Sequence, residues 1–174
     1  QVCNIIVHRM SLTPGEQRKR RRRARRRGES GEFWLEGGNR KLSRRPITEQ
    51  LLIDQVAIIT GGAAGIGFAA AQKLGGEGAI VALFDMSAEN LGKAKAKLEA
   101  AGVRAHTEAL NVTDPAAVAA AVESVVSQFG RIDVLIQAAG VTGVTGISTP
   151  DVDPDNFDFV FAVNVKGIFL LCKS

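Results

Sequence analysis

The stretch IITGGAAGIGFAAAQKL, residues 58–74, decides how this chain folds. An apolar run stops at Thr60, glycines and alanines follow, and an alanine-rich segment takes over. Glycine at 61 lets the chain turn sharply where a strand ends. Glycines at 65 and 67 leave room for a phosphate to approach the backbone and for a helix to pack closely on a sheet. A helix opening here aims unsatisfied amides and the positive end of its dipole outward, which is what a phosphate needs. A glycine-rich turn with no ligand is the plain alternative. Position favours the phosphate, because the glycines follow a strand and precede a helix.

Outward from that stretch, strand and helix signals alternate. QVAIIT (55–60) is a short β-rich apolar run, as expected of a strand buried on both faces. GIGFAAAQKLGGEG reads as a helix ended by glycines, and AIVALF (79–84) as the next strand. Ser87 is placed to cap a helix with Leu91, Ala94 and Leu98 on one face and Gly102 beyond its end. AHTEALNV (105–112) is a third, weaker strand. Thr113 is expected to cap the following helix, with Pro115 in its first turn, where no amide is missed. Val118, Val122, Val125 and Phe129 form its apolar stripe. IDVLIQ (132–137) is the fourth strand, and DNFDFVFAVNVKGIFLLCKS opens a long helix. Alternation at a spacing of ~25 residues predicts right-handed crossovers and a parallel sheet. The fold class is α/β, a doubly wound Rossmann-like sheet with strand order 3-2-1-4 counted from residue 55.

Charge divides the chain. Residues 1–50 hold 14 Lys/Arg against 5 Asp/Glu, and residues 51–174 hold 8 against 13. The basic balance therefore belongs to a tail, and nucleic acid is not the implied partner of the domain. The tail, 1–50, is expected to be disordered, since it offers too little apolar surface to offset chain entropy. Its run Arg18–Arg27 is a solvated basic segment on the plain reading and an import or nucleic-acid arm on the functional one. Residues 51–174 form the dinucleotide-binding part. Cys3, Cys172, His8 and His106 lie at no metal-ligand spacing, which fits a reducing compartment. No apolar run approaches the ~18 residues of a membrane span, and a cytoplasmic location is expected. The start at Gln1 and the stop within IFLLCKS read as a partial sequence.

The spacing Gly-x-x-x-Gly-x-Gly in TGGAAGIG (60–67) resembles the cofactor loop of the short-chain dehydrogenases/reductases. Further matches follow in order. Asp85 ends the second strand, 18 residues after Gly67. LNVTD (110–114) resembles the family's adenine-contacting segment, with Asn111 where aspartate is more usual. LIQAAG (135–140) resembles its Asn-x-Ala-Gly motif, with Gln137 in place of the first asparagine. VNVKG (163–167) resembles the segment whose asparagine, here Asn164, belongs to the catalytic tetrad. The resemblance covers residues 54–174. It implies cofactor contacts at Gly61, Gly65, Ile66, Gly67, Asp85, Asn111, Val112, Ala139 and Gly140, and NAD as the cofactor. NADP is the lesser candidate, because a carboxylate at 85 repels its extra phosphate and no Lys or Arg stands beside it. No metal is implied.

The resemblance also implies hydride transfer on an alcohol/ketone pair, with a 3-oxoacyl thioester or a sugar or polyol as the nearest substrate classes. A homo-oligomer is the implied complete form. The chemistry needs a tyrosine as general acid/base, lowered in pKa by a lysine, and a serine steadying the substrate oxygen. The chain has no tyrosine, and the family places the serine and the Tyr-x-x-x-Lys pair beyond position 174. Of the tetrad only Asn164 is present, expected to organise a water and kink its helix. A dinucleotide-binding module without catalysis is the alternative. His106 reads as a packed or solvated residue and Lys166 as a surface one.

Overall fold

The computed structural model describes residues 50–174 and the backbone of residues 7–9. Four parallel strands form the centre: β2 (Val56–Thr60), β3 (Ile80–Asp85), β4 (Ala105–Ala109) and β5 (Val134–Gln137). Their order across the sheet is β4-β3-β2-β5, the 3-2-1-4 arrangement expected. Every residue of β2 is buried, so its apolar run is continuous instead of alternating.

A fifth strand was not expected. Val7–Arg9, here β1, pairs antiparallel with β5, Val7 opposite Ile136 and Arg9 opposite Val134. The expectation of a disordered tail over residues 1–50 did not include this pairing. An unpaired row of backbone groups beside β5 is a template for another strand, and residues 7–9 take that place. The rest of the tail, including Arg18–Arg27, lies outside the described residues.

Helices cover both faces. α1 (Gly65–Gly76) and α2 (Ala88–Ala100) pack on one side, where Ile59, Val81, Leu83 and Ile136 meet Ala71, Leu91, Ala94 and Leu98. α3 (Pro115–Phe129) lies on the other side, where Ile58, Ala82, Phe84 and Leu135 meet Val118, Val122 and Val125. Alternate residues of one strand thus serve two separate cores. Ser87 caps α2 as expected, its hydroxyl accepting from the Asn90 amide at 3.2 Å. At α3 the cap is Asp114, not Thr113. The Asp114 carboxylate accepts from the amides of Ala116 and Ala117 at 2.9 and 3.2 Å, while the Thr113 hydroxyl turns back to donate to Asn111 Oδ1.

The final helix is not uniform. α4 (Pro154–Phe161), capped by Asp153, passes into a π-helical turn at Ala162–Lys166 and resumes as α5 (Gly167–Lys173). Gly167 permits this helix to cross close to the loop after β4, since a Cβ there would stand 2.9 Å from Val112 Cγ2. Among the described residues, no helix is long and apolar enough to cross a membrane.

Candidate functional site

Four strand ends meet at the carboxyl edge of the sheet, and backbone bonds hold them in register beyond the last ladder pair. Gly62 N–H donates to Phe84 O at 3.3 Å, Ala138 N–H to Thr60 O at 3.1 Å, and Leu110 N–H to Asp85 O at 2.9 Å. The buried Thr60 hydroxyl accepts from Ala139 N–H at 3.2 Å, tying the segment after β5 to the end of β2. Gly61 sits between them at φ +63°, where a Cβ would lie 2.8 Å from the backbone of Ala138 and Ala139. Only glycine meets both demands.

The loop then turns into α1. Gly67 packs its Cα against the preceding turn, because a Cβ there would lie 2.2 Å from Gly61 O. Gly65, at φ +54°, has nothing within 4 Å of where a Cβ would stand, so it faces open space. The two glycines therefore divide the work: Gly67 brings the helix close and Gly65 opens the cleft. α1 also differs from its neighbours at the cap. Side-chain oxygens of Ser87, Asp114 and Asp153 accept first-turn amides of α2, α3 and α4, whereas α1 has no side-chain cap and no acid in its first turn. Its orphan amides and dipole end are left for an external anion.

These features line a cleft of about 350 Å³. Gly61, Gly65, Ile66, Gly67, Asp85, Asn111, Val112, Ala139 and Gly140 all border it. Met86, Val141 and Phe159 border it as well and carried no signal in the sequence, although Val141 directly follows the glycine of LIQAAG. The sheet order fixes what lies where. Asp85 and Asn111 stand on the β3–β4 flank of the glycine loop, and Ala139–Val141 on the β5 flank.

Asp85 is half-buried and already engaged. One carboxylate oxygen accepts from Ala63 N–H at 3.2 Å, within the glycine loop, and the other from Ser87 N–H at 3.1 Å. An ionised carboxylate has about four acceptor positions, so each oxygen retains one for a ligand. Asn111 is differently disposed: its Oδ1 accepts from both the amide and the hydroxyl of Thr113, at 3.0 and 2.9 Å.

Asn164 does not border the cleft. It lies in the π-helical turn and grips Val141 twice, accepting from Val141 N–H at 2.9 Å and donating to Val141 O at 2.8 Å. Extra helical residues of this kind are common at functional positions. Here the turn carries the side chain that fixes the segment after β5. Gln137, nearly fully buried, does not brace a neighbouring strand. Its amide donates across to Ile168 O at 3.2 Å and lies 3.3 Å from Cys172 Sγ, binding β5 to α5.

His106 packs edge-on against Phe129 and meets Glu108 at 2.9 Å, in β4 and away from the cleft. Lys166 is exposed. Among the described residues, no three His, Cys, Asp or Glu side chains gather as a metal site.

Residues 55–174 match the family model described as short chain dehydrogenase. The chain belongs to that family. It is 39% identical over 113 residues to a 2-dehydro-3-deoxy-L-rhamnonate dehydrogenase (NAD(+)) of a Sphingomonas species, covering 65% of this chain and 43% of that protein. An NAD+-bound xylitol dehydrogenase structure superposes with a TM-score of 0.68 at 38% identity, over 71% of this chain and 47% of the other. A metagenomic short-chain oxidoreductase in complex with NADP gives a TM-score of 0.66, also at 38% identity, over 70% of this chain and 55% of the other. The chain thus spans about half the length of the curated relatives it matches.

Proposed function

We propose that this chain is the coenzyme-holding part of an NAD-linked oxidoreductase acting on an alcohol/ketone pair. The observation that carries the reading is the uncapped start of α1, opening on a cleft whose β3 flank ends in Asp85. The residues fit a dinucleotide in shape and charge. Open space at Gly65 and the first-turn amides accept a pyrophosphate, and Asp85 has acceptor capacity for ribose hydroxyls. Val112 and the carbon skeleton of Asn111 bound the adenine end. Since Thr113 occupies the Asn111 carbonyl, that residue contributes shape more than a hydrogen bond.

A bound nicotinamide coenzyme supplies the hydride acceptor or donor. On this reading its two ends lie on opposite flanks of the glycine loop, and Asn164 steadies the nearer wall through Val141. The proton that accompanies hydride transfer has no carrier of the expected type here, since none of the 174 residues is tyrosine. The chain matches about half the length of its relatives, and a module that holds dinucleotide without catalysis is the second reading. NAD-dependent turnover of a secondary alcohol by this chain separates the two.

NAD is preferred over NADP because Asp85 sets negative charge where the extra phosphate must lie, and its exposed neighbour Met86 offers no compensation. Among the relatives, the NAD-linked rhamnonate dehydrogenase and the NAD+-bound xylitol dehydrogenase support this choice and the sugar or polyol class of substrate. A 3-oxoacyl-[acyl-carrier-protein] reductase of Thermotoga maritima, 38% identical, supports the thioester class.

A homo-oligomer is supported by Phe157, Phe161, Val165 and Phe169, exposed apolar residues spaced by four along the last helix. Asp155 and Asp158 lie toward one end of that stripe, and Lys166 and Lys173 toward the other. A second copy docked antiparallel meets opposite charge at both ends. Two cysteines at no disulfide-framework or metal-ligand spacing in the sequence support work in the cytoplasm.

The coenzyme test is calorimetric titration with NAD+ and NADP+. NAD+ is expected to bind at least about tenfold more tightly. Asp85→Asn keeps an acceptor for the Ala63 amide, so the ratio, not the absolute affinity, is the readout. The ratio is expected to fall toward one, and an unchanged ratio removes the ribose role of Asp85.

A further inference from the structure

The segment after β5 opens a second cavity of about 460 Å³, bordered by Gly140–Val144, Asn156 and Phe159. Gly140, Val141 and Phe159 border both this cavity and the dinucleotide cleft, so they form the partition between them. The loop carrying that partition is poorly covered, with every residue from Val144 to Pro150 exposed. Two asparagines of the last helix hold its start. Asn164 grips Val141, and Asn156, eight residues earlier, accepts Val144 N–H on its Oδ1 at 3.0 Å. Gly143 is shaped to this second grip. It adopts φ +66°, and a Cβ there would stand 2.8 Å from Asn156 Oδ1 and 2.7 Å from Val160 Cγ2.

We propose that Asn156 is a positioning residue for the ring end of a bound dinucleotide, acting through the loop it latches and touching no ligand itself. The inference rests on the dinucleotide reading of the main cleft. With the pyrophosphate at α1 and the adenosine on the Asp85 flank, the remaining half extends toward Gly140 and Val141. That wall has one anchor on each side of Gly143. Releasing Val144 leaves the partition anchored on one side alone, at Val141, so its set position loosens. The adenosine half, two and three strands away at Asp85 and Asn111, does not feel the change.

The test compares a ligand that has the ring end with one that lacks it. The full chain and its Asn156→Ala and Asn156→Asp variants are titrated with NADH and with ADP-ribose. Asn156→Ala is expected to weaken NADH about fivefold, the loss of one exposed hydrogen bond, and to leave ADP-ribose within about twofold. Asn156→Asp keeps the acceptor and is expected to restore NADH affinity. Gly143→Ala, which pushes the amide off the loop, is expected to match Asn156→Ala and serves if that variant fails to fold. Unchanged NADH affinity in both loss variants overturns the proposal, and so does equal weakening of the two ligands, which marks a general folding role. If the unaltered chain binds ADP-ribose as tightly as NADH, this proposal falls while the adenosine reading stands. If it binds neither, the reading of the cleft itself has failed.

Discussion

The crossover from β2 into α1 and the crossover from β5 into α4 border the same cleft from opposite flanks, and they are built from different material. The first is almost bare backbone. Gly61, Gly65 and Gly67 set its path by what they lack, and the Asp85 carboxylate reaches into it to accept from the Ala63 amide. The second is held by side-chain amides: Gln137 on Ile168, Asn164 on Val141 and Asn156 on Val144. A backbone-built loop tolerates no atoms added where it packs, at Gly61 and Gly67, and needs few side-chain partners. An amide-built loop tolerates atoms and fails one bond at a time. Ligand charge is therefore handled on the first flank and adjustable shape on the second.

That contrast can be broken by adding atoms to the first loop. Gly67→Val is expected to have the largest effect, because its side chain begins 2.2 Å from Gly61 O with no flexible neighbour to yield. A stability loss of about 3 kcal/mol, the upper end for overpacking, is expected in urea unfolding. A loss under about 1 kcal/mol contradicts the close approach of helix and turn. Gly65→Val sharpens the comparison. It meets no atom and costs only the left-handed backbone, about 1–2 kcal/mol, yet it fills the space assigned to phosphate. Folding is expected to survive while NAD+ binding is lost, and retained affinity on titration removes the loop assignment. The smallest effect tests a cap away from both flanks. Asp114→Ala is expected to cost about 1 kcal/mol in thermal unfolding and Thr113→Ala only a few tenths; the reverse order restores Thr113 as the cap of α3.

The same contrast explains what the sequence made legible. Alternating strand and helix signals placed all four parallel strands, because buried β-runs and glycine-ended helices follow local chemistry. The glycine loop was readable for the same reason, since spacing alone states where a side chain is forbidden. Thr113 and Asp114 were confused because both are good caps one residue apart, and only the competing bond from the Thr113 hydroxyl to Asn111 decides between them. β1 was hidden because three residues are too few to show a periodicity, and their pairing with β5 is a long-range event. Gln137 stood out only as a departure from the asparagine of the motif. Its length instead carries the amide past the neighbouring strand to a helix carbonyl, which no spacing announces. Asn156 carried no motif at all, and its partner is a backbone amide 12 residues away.

The central claim is that the first-turn amides of α1 hold a pyrophosphate while Asp85 holds the adjoining ribose. The most direct measurement is a crystal of this chain soaked with NAD+. The account predicts phosphate density against the Gly65–Gly67 amides and ribose hydroxyls on the Asp85 carboxylate. Ordered coenzyme elsewhere on the chain, or none under saturating ligand, contradicts it.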